Sequence, residues 1–430
     1  MPMFFVGAVV AVALVAALYR RPQRGLLLVA ALTPLQGLLT VIPGGRTVTH
    51  WREFVLIVAL AAAFTGPARR RRTATAAPRW ATLGAGGALG LMVALVAASL
   101  AGLIPFEFTY LYLTIPVILW RAPFDARDRD GLVTILMVAG FVTAVLGLVQ
   151  QVLGADRLAE LGYRWDEHLH THRGFLHSFS TFATPREFGL FIMLSLVVGC
   201  AVAFADPRRR RNRLFLCATP ILLLGLGMTI MPACYIGLTV GLLWLAVHRF
   251  RALFVVFGGL AVVTPIALLL LPSSVLAPVF SSVGLGARGP SQPTSSLWVR
   301  PFGQNTAVDT LAQLDAGSYR PESYYTKLAV DFGLIGVWLF VLVLVVAAAS
   351  TLYASRRLRG QDAAFALGVS ATVVACVVAT TMATYPEIIS LEVYFWMLVG
   401  AVGCAMMQRT PAPRIEEPDP APCRRLTQVG

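Results

Sequence analysis

The residues of this chain that could bind or activate a polar ligand are gathered in two polar segments. Near the end of the second segment, Arg320 and Glu322 stand beside Tyr324 and Tyr325, immediately before a long apolar run. An arginine can hold a phosphate group through two parallel hydrogen bonds, and a glutamate can accept the proton of a hydroxyl group. Because Glu322 also follows Pro321, an acidic residue placed at a helix start is the alternative interpretation.

The first polar segment, residues 153–186, holds four of the six histidines. In an extended stretch, His168, His170 and His172 would lie on one face, since side chains alternate along a strand. A metal site completed by a neighbouring carboxylate is one interpretation, and a plain polar loop is the other. His177 follows closely in the same segment.

Three arginines of the polar segments are further candidates for binding an anion. Arg173 and Arg186 flank a Ser- and Thr-containing stretch of the first segment, and Arg300 lies in the second segment, residues 272–326. The planar guanidinium group suits phosphate. Anchoring to lipid headgroups is the alternative for each of them.

The elements that must position these residues are apolar helices. The chain has 430 residues, is 57% hydrophobic and 13% charged, and has a mean hydropathy of +0.74. Continuous apolar runs of about 17–22 residues fit helices that cross a bilayer, whereas membrane strands would alternate in polarity. We therefore predict an all-α polytopic membrane protein with 12 or 13 helices, near residues 3–19, 25–42, 52–66, 81–101, 105–120, 131–152, 187–205, 214–230, 232–247, 252–271, 327–353, 363–383 and 390–408.

The basic residues fall mainly in alternate short connections. Most of the 35 Lys and Arg residues, including the runs 69–72 and 208–211, lie there or in the tail. By the positive-inside rule these connections face the cytoplasm, and both polar segments face outward. Each run adjoins a helix end, so anchoring to anionic lipid explains the runs better than nucleic-acid binding does.

This topology predicts six parts of the chain. They are N-terminal transmembrane helices in 1–152, a first outer loop in 153–186, central transmembrane helices in 187–271, a large outer loop in 272–326, C-terminal transmembrane helices in 327–408 and a disordered cytoplasmic tail in 409–430.

The segment ESYYTKLAVDFGLIGVWLF, beginning at Glu322, resembles the characteristic segment of the O-antigen ligase and O-antigen polymerase superfamily. In that superfamily a polar residue precedes a small residue and an aromatic one, and an acidic residue, Gly-Leu-Ile-Gly and a long apolar helix follow. The first polar segment agrees through a basic residue and Ser178, then a Ser-x-Phe-x-x-Pro pattern that begins at Ser180 and ends in Thr184 and Pro185, and a Phe-Gly pair, Phe188 and Gly189, at a helix start.

Two positions depart from the superfamily pattern. Met231-Pro232-Ala233 stands where members commonly carry Ser-Arg-Gly, and Glu322 replaces the histidine common among ligases. The departures favour a polymerase-like or catalytically divergent member over a lipopolysaccharide ligase.

The resemblance implies a glycosyltransferase with a GT-C-like architecture in the bacterial cytoplasmic (inner) membrane. It would polymerise or ligate polyprenyl-diphosphate-linked oligosaccharide units onto an acceptor glycan, on the extracytoplasmic side, without a metal or other cofactor and without nucleic acid. Glu322, Arg173 and Arg320 would be catalytic. Substrate-binding residues would be Arg186, Arg300, His172, His177, Tyr324 and Tyr325.

A transporter or flippase of lipid-linked saccharides is the alternative. Transporters tend to place charges at mid-membrane, in broken helices, whereas the charges of this chain concentrate outside the apolar runs. A catalytically divergent homologue is a third possibility.

Overall fold

In a computed structural model of the chain, the described residues are 18–41, 50–65, 79–100, 108–163, 171–172, 175–251, 253, 324–381 and 389–409. The predicted helix near 3–19 lies outside these ranges apart from residues 18 and 19, and the predicted helix near 252–271 lies outside them apart from residue 253. Most of the second polar segment and nearly all of the tail also lie outside them.

The described residues form mainly α-helices. In chain order they are α1 Pro22–Leu32, α2 Gln36–Val41, α3 Trp51–Thr65, α4 Arg79–Leu100, α5 Thr114–Arg121, α6 Ala126–Glu160, α7 Pro185–Ala205, α8 Arg210–Gly227, α9 Pro232–His248, α10 Tyr324–Arg357, α11 Gly360–Ala379 and α12 Ile389–Arg409. Two 3-10 helices, Thr33–Leu35 and Phe108–Leu113, precede α2 and α5. A minimal antiparallel pair joins β1, Thr171–His172, to β2, Phe175–Leu176.

Two predicted helices are wrong in detail. The expected helix at 25–42 is interrupted by the 3-10 turn at Thr33–Leu35, because Pro34 has no amide hydrogen to continue the α-helical pattern. The expected helix at 105–120 is, from residue 108 onward, a 3-10 turn followed by the eight-residue α5, which at 1.5 Å per residue spans only about 12 Å.

Two long helices change direction at a glycine. Gly154 in α6 has φ 77° and Gly333 in α10 has φ 66°, a region that glycine enters without steric cost. The predicted outer loop therefore begins with helix, since α6 continues past Gly154 to Glu160.

Helix α7 is the centre of the bundle. It packs against α6, α8, α9, α11 and α12, and nearly all of its residues are buried. Close approach depends on small residues: a Cβ on Gly189 of α7 would overlap the sulfur of Cys234 on α9, and a Cβ on Gly368 of α11 would overlap Ala201. Such contacts are typical of helices that pack within membranes.

The outer helices expose apolar side chains. In α4 and in α10 beyond residue 332, Leu83, Leu334 and Trp338 are largely exposed. Within the described ranges, five helices are long and apolar enough to cross a membrane: Arg79–Leu100, Ala126–Glu160, Pro185–Ala205, Phe332–Arg357 and Gly360–Ala379. A buried central helix with apolar helices outside it is the arrangement of a helical membrane protein.

Candidate functional site

Polar contacts gather at two opposite ends of the bundle. At one end, which we call the arginine-rich end, α6 and α11 begin and Arg129 forms an ion pair with Asp362 at 3.1 Å. At the other, the distal end, α8 ends and α7 begins, and the amide of Ser178 donates to the carbonyl of Met228 at 3.0 Å. The described residues of the first polar segment lie at the distal end.

The segment 177–184 is fixed to α6 by its serines. Ser178 Oγ donates to the carbonyl of Gly147 at 2.9 Å, and Ser180 Oγ donates to that of Thr143 at 2.7 Å. The Gln150 amide donates to the Ser180 carbonyl and accepts from the Ser180 amide, both at 2.7 Å. These serines, which belong to the motif that carries the resemblance, therefore have a structural role.

The same segment is also held against the helices near the N-terminus. Thr181 Oγ1 donates to the Pro34 carbonyl at 2.5 Å, in the 3-10 turn before α2. The backbone of Phe182 lies so close to Gly37 that a Cβ there would overlap it. Contacts on two sides thus set where α7 begins.

The first turn of α7 has a well-defined cap. Thr184 Oγ1 accepts from the Glu187 amide at 3.2 Å, and Pro185 occupies the first turn, as is common at helix starts. The Glu187 carboxylate accepts from the Ala183 amide at 3.4 Å. This cap fixes Glu187 at the end of the central helix.

Five polar residues gather near this point, and we call them the Arg52 cluster: Arg52, Glu53, Tyr112, Glu187 and Glu392. Arg52 and Glu53 come from the first turn of α3, Tyr112 from a 3-10 turn and Glu392 from the start of α12. Arg52 interacts electrostatically with Glu187 and with Tyr112, and Tyr112 does so with Glu53 and Glu392. The cluster therefore joins four parts of the chain that are distant in sequence.

Arg52 is the most unusual member of the cluster. Its side chain is 1% exposed, and no described residue accepts a hydrogen bond from its Nε or Nη1. Burying a guanidinium group without hydrogen-bond acceptors costs free energy, compared with leaving the group in water. A bound ligand with oxygen acceptors would remove that cost.

Tyr112 and Glu53 form a buried donor–acceptor pair. The Tyr112 hydroxyl donates to Glu53 Oε1 at 2.7 Å, and His50 Nδ1 lies 3.9 Å from Glu53 Oε2. Burial raises the pKa of the Tyr112 hydroxyl; Arg52 lowers it, and Glu53 and Glu392 raise it. The hydroxyl therefore stays protonated and remains a donor to Glu53.

The charge balance of the Arg52 cluster indicates what it could bind. One guanidinium group stands among the carboxyl groups of Glu53, Glu187 and Glu392, an arrangement suited to hydroxyl groups, which donate to carboxylates and accept from arginine. A diphosphate, in contrast, would need additional cations.

Four of the nine predicted site residues fall outside the described ranges. These are the catalytic candidates Glu322, Arg173 and Arg320, and Arg300 among the substrate-binding ones. His172 lies in β1, paired through its backbone with Phe175.

Arg186 and His177 are partly buried at the distal end. Arg186 interacts electrostatically with Cys234, which lies in the first turn of α9 immediately after Met231-Pro232-Ala233. A cation thus stands beside the segment from which the expected arginine of the resemblance is missing.

Tyr324 and Tyr325 join α10 to the end of α11. The Tyr325 hydroxyl donates to the Val377 carbonyl and accepts from Thr380 Oγ1, both at 3.0 Å, and the Tyr324 amide donates to the Thr380 carbonyl at 3.2 Å. These contacts give the tyrosines a structural role, and their contact with a substrate stays a prediction.

Across the part of the chain that the structure describes, no group of three or more His, Cys, Asp or Glu side chains could hold a metal ion. The side chains of His168, His170 and His172 are not among those described, so the predicted alternative of a histidine site there stays open.

Sequence reasoning missed the Arg52 cluster. The pattern Thr-Pro-Arg-Glu at 184–187 predicts only a capped helix. In the sequence, Arg52 is one of several arginines in the connections that are predicted to face outward. Only packing brings them together.

No family model matches the sequence, and a search of curated proteins finds no significant match.

Proposed function

We propose that this protein is a membrane glycosyltransferase that polymerises or ligates polyprenyl-diphosphate-linked oligosaccharide units at the distal end, which would face the outside of a bacterial inner membrane. The observation that carries the proposal is Arg52, a buried guanidinium group without acceptors on Nε and Nη1 in the described structure, among carboxyl groups at that end. The resemblance of the segments around Ser178 and Glu322 supports the same reaction class.

In the proposed reaction, one group of residues would bind the sugar and another would carry out the glycosyl transfer. The Arg52 cluster would bind hydroxyl groups of a sugar. Arg173, Arg186 and Arg320 would stabilise the diphosphate as the glycosidic bond to it breaks. Glu322 would accept the proton of the attacking hydroxyl group, and the polyprenyl chain would lie against the apolar helices.

The test is polymerisation by purified protein in liposomes that contain polyprenyl-diphosphate-linked repeat units and no ion gradient. We expect the wild type to lengthen the glycan. Glu322→Gln and Arg173→Ala should abolish lengthening while membrane insertion and melting temperature stay unchanged. The matched controls are Glu160→Gln and Arg157→Ala, because both side chains are exposed at the distal end of α6. Normal products from both site variants would refute the assigned roles.

A second candidate function is transport of lipid-linked saccharides. It is favoured by the carboxyl groups around Arg52, of which that of Glu53 is buried, because acidic residues inside membrane proteins often mark ion pathways. Translocation of a fluorescent lipid-linked saccharide that requires an ion gradient, without any lengthening of the glycan, would favour this function. A catalytically divergent homologue would show neither activity.

A further inference from the structure

The arginine-rich end contains two adjoining cavities that the proposed glycosyl transfer does not use. Their volumes are about 520 Å³ and 380 Å³. Both are lined by Arg129, Arg359 and Asp362, so they meet between the start of α11 and neighbouring helix ends. Volumes of this size match ordinary small-ligand sites.

The smaller cavity has a strong excess of positive charge. Among the described residues it is lined by two aspartates, Asp130 and Asp362, and by five arginines, Arg127, Arg129, Arg209, Arg211 and Arg359. Three cations therefore remain unbalanced in the lining. Asp206 is also near, since it accepts from the Gln361 amide at 3.1 Å, but it is not part of the lining.

Each of the three guanidinium nitrogen atoms of Arg129 has a partner within the protein. It donates to both carboxylate oxygens of Asp362 at 3.1 Å, to the Phe124 carbonyl at 3.0 Å and to Gln408 Oε1 at 2.7 Å. This arginine has a structural role in joining α6, α11 and α12.

Asp130 is shared by two arginines. Arg209 donates to both of its carboxylate oxygens at 2.7 Å, and Arg211 Nη1 donates to Oδ1 at 2.8 Å. One carboxylate balances only one of these cations. Arg211 Nη2 is buried and has no hydrogen-bond partner among the described residues.

Arg127 and Arg359 are exposed, and within the described ranges no hydrogen bond or ion pair engages either side chain. Together with Arg211 Nη2, they give the cavity unused donors from three helix ends. The lining also includes Val133, Val202 and Phe365, so apolar helix surface continues directly from the cationic part.

We propose that this cavity binds a phosphate group, and that the phosphate belongs to the headgroup of an anionic phospholipid. Arginine is suited to phosphate because its planar fork makes two parallel hydrogen bonds. Basic pockets between membrane helices are suited to lipid headgroups because the acyl chains can follow the adjacent apolar surface. A free phosphate ion offers the same chemistry without the chains, and the experiment separates these sources.

The experiment measures the melting temperature of the full chain in a neutral detergent while dioleoyl phosphatidylglycerol, dioleoyl phosphatidylcholine or inorganic phosphate is titrated. We expect saturable stabilisation by phosphatidylglycerol and none by phosphatidylcholine. The double variant Arg127→Ala/Arg359→Ala should raise the half-saturating concentration of phosphatidylglycerol by roughly tenfold or more, because it removes two guanidinium groups that can make charge-assisted hydrogen bonds.

The matched control is Arg208→Ala/Arg213→Ala, which removes the same charge from exposed positions at the same end but outside the cavity lining. It should leave the half-saturating concentration within about twofold, since exposed charges interact weakly. Equal weakening by both double variants would overturn the proposal, because general surface attraction would then explain binding. Saturation by inorganic phosphate at the same concentration as phosphatidylglycerol would overturn the lipid assignment, and absence of binding by either would overturn the site.

Discussion

Arg52 carries a positive charge that is buried inside the bundle. Removing an arginine from water costs several kcal/mol unless attraction and hydrogen bonds compensate. The described structure supplies nearby carboxyl groups but no acceptor for two of its nitrogen atoms. Two explanations follow: Arg52 stabilises the bundle as an ion-pair partner, or it binds a ligand.

Replacing Arg52 with lysine distinguishes these explanations. Arg52→Lys keeps the charge but loses the planar donors, so we expect glycan lengthening to fall by about 100-fold or more, the usual effect of losing a positioned donor. The melting temperature should change little. Arg157→Lys, at an exposed position, is the control. A variant that melts early and yet keeps its activity would show a purely structural role.

Gly37 gives a second prediction, which concerns packing. In Gly37→Ala the added methyl would overlap the backbone of Phe182, which cannot move without loosening segment 177–184. We expect a loss of about 1–3 kcal/mol in the free energy of unfolding. Gly84→Ala adds the same methyl where nothing lies within 4 Å, and it should gain up to about 1 kcal/mol of helix stability.

Measurement of both glycine variants by denaturation in detergent tests this difference. Equal stabilities would mean that Gly37 and Phe182 are not in contact.

Helix α10 shows how an element can be predicted while its course is not. Its apolar run predicted a helix at 327–353, and the structure has Tyr324–Arg357. The run gave no sign that Gly333, with φ 66° and ψ −171°, divides it. The glycine lets the first turns, with Tyr324 and Tyr325, pack against α11 at a different angle from the rest.

Gly333→Ala should therefore be costly although there is room for its methyl group. A residue with a Cβ is strained in this backbone conformation by about 1–3 kcal/mol. We expect a lower melting temperature and reduced glycan lengthening, because the segment after Glu322 is redirected. Gly227→Ala, at a helical glycine with equal room, is the control and should keep both properties. Equal behaviour of the two variants would argue against the kink.

The arrangement of the whole bundle could be predicted only in part. Continuous apolar runs located most helices to within a few residues; the run at 187–205, for example, is α7 at Pro185–Ala205. Length and hydropathy suffice for that, since both are local properties. The Arg52 cluster was not predictable, because the burial of Arg52 depends on contacts between helices far apart in the chain. The catalytic residues that the resemblance implies, Glu322, Arg173 and Arg320, lie outside the described ranges.

Orientation in the membrane is a prediction that concerns the entire molecule. In a cysteine-free background, Leu161→Cys at the distal end should react with a membrane-impermeant maleimide in intact cells, because the side chain there is 61% exposed. Arg208→Cys at the arginine-rich end should react only after the membrane is permeabilised, because positively charged connections stay in the cytoplasm. The reverse labelling pattern would move the proposed site to the cytoplasm.

The ion pair between Arg129 and Asp362 also has a consequence for synthesis on the ribosome. The two residues are separated by 233 positions, and at roughly 5–20 residues per second Arg129 is made some tens of seconds before its partner. During that interval its guanidinium group must remain hydrated at the membrane surface or be shielded by an insertion factor. A chain that stops before α11 would keep this arginine unmatched, and such products should be preferred substrates of membrane proteases.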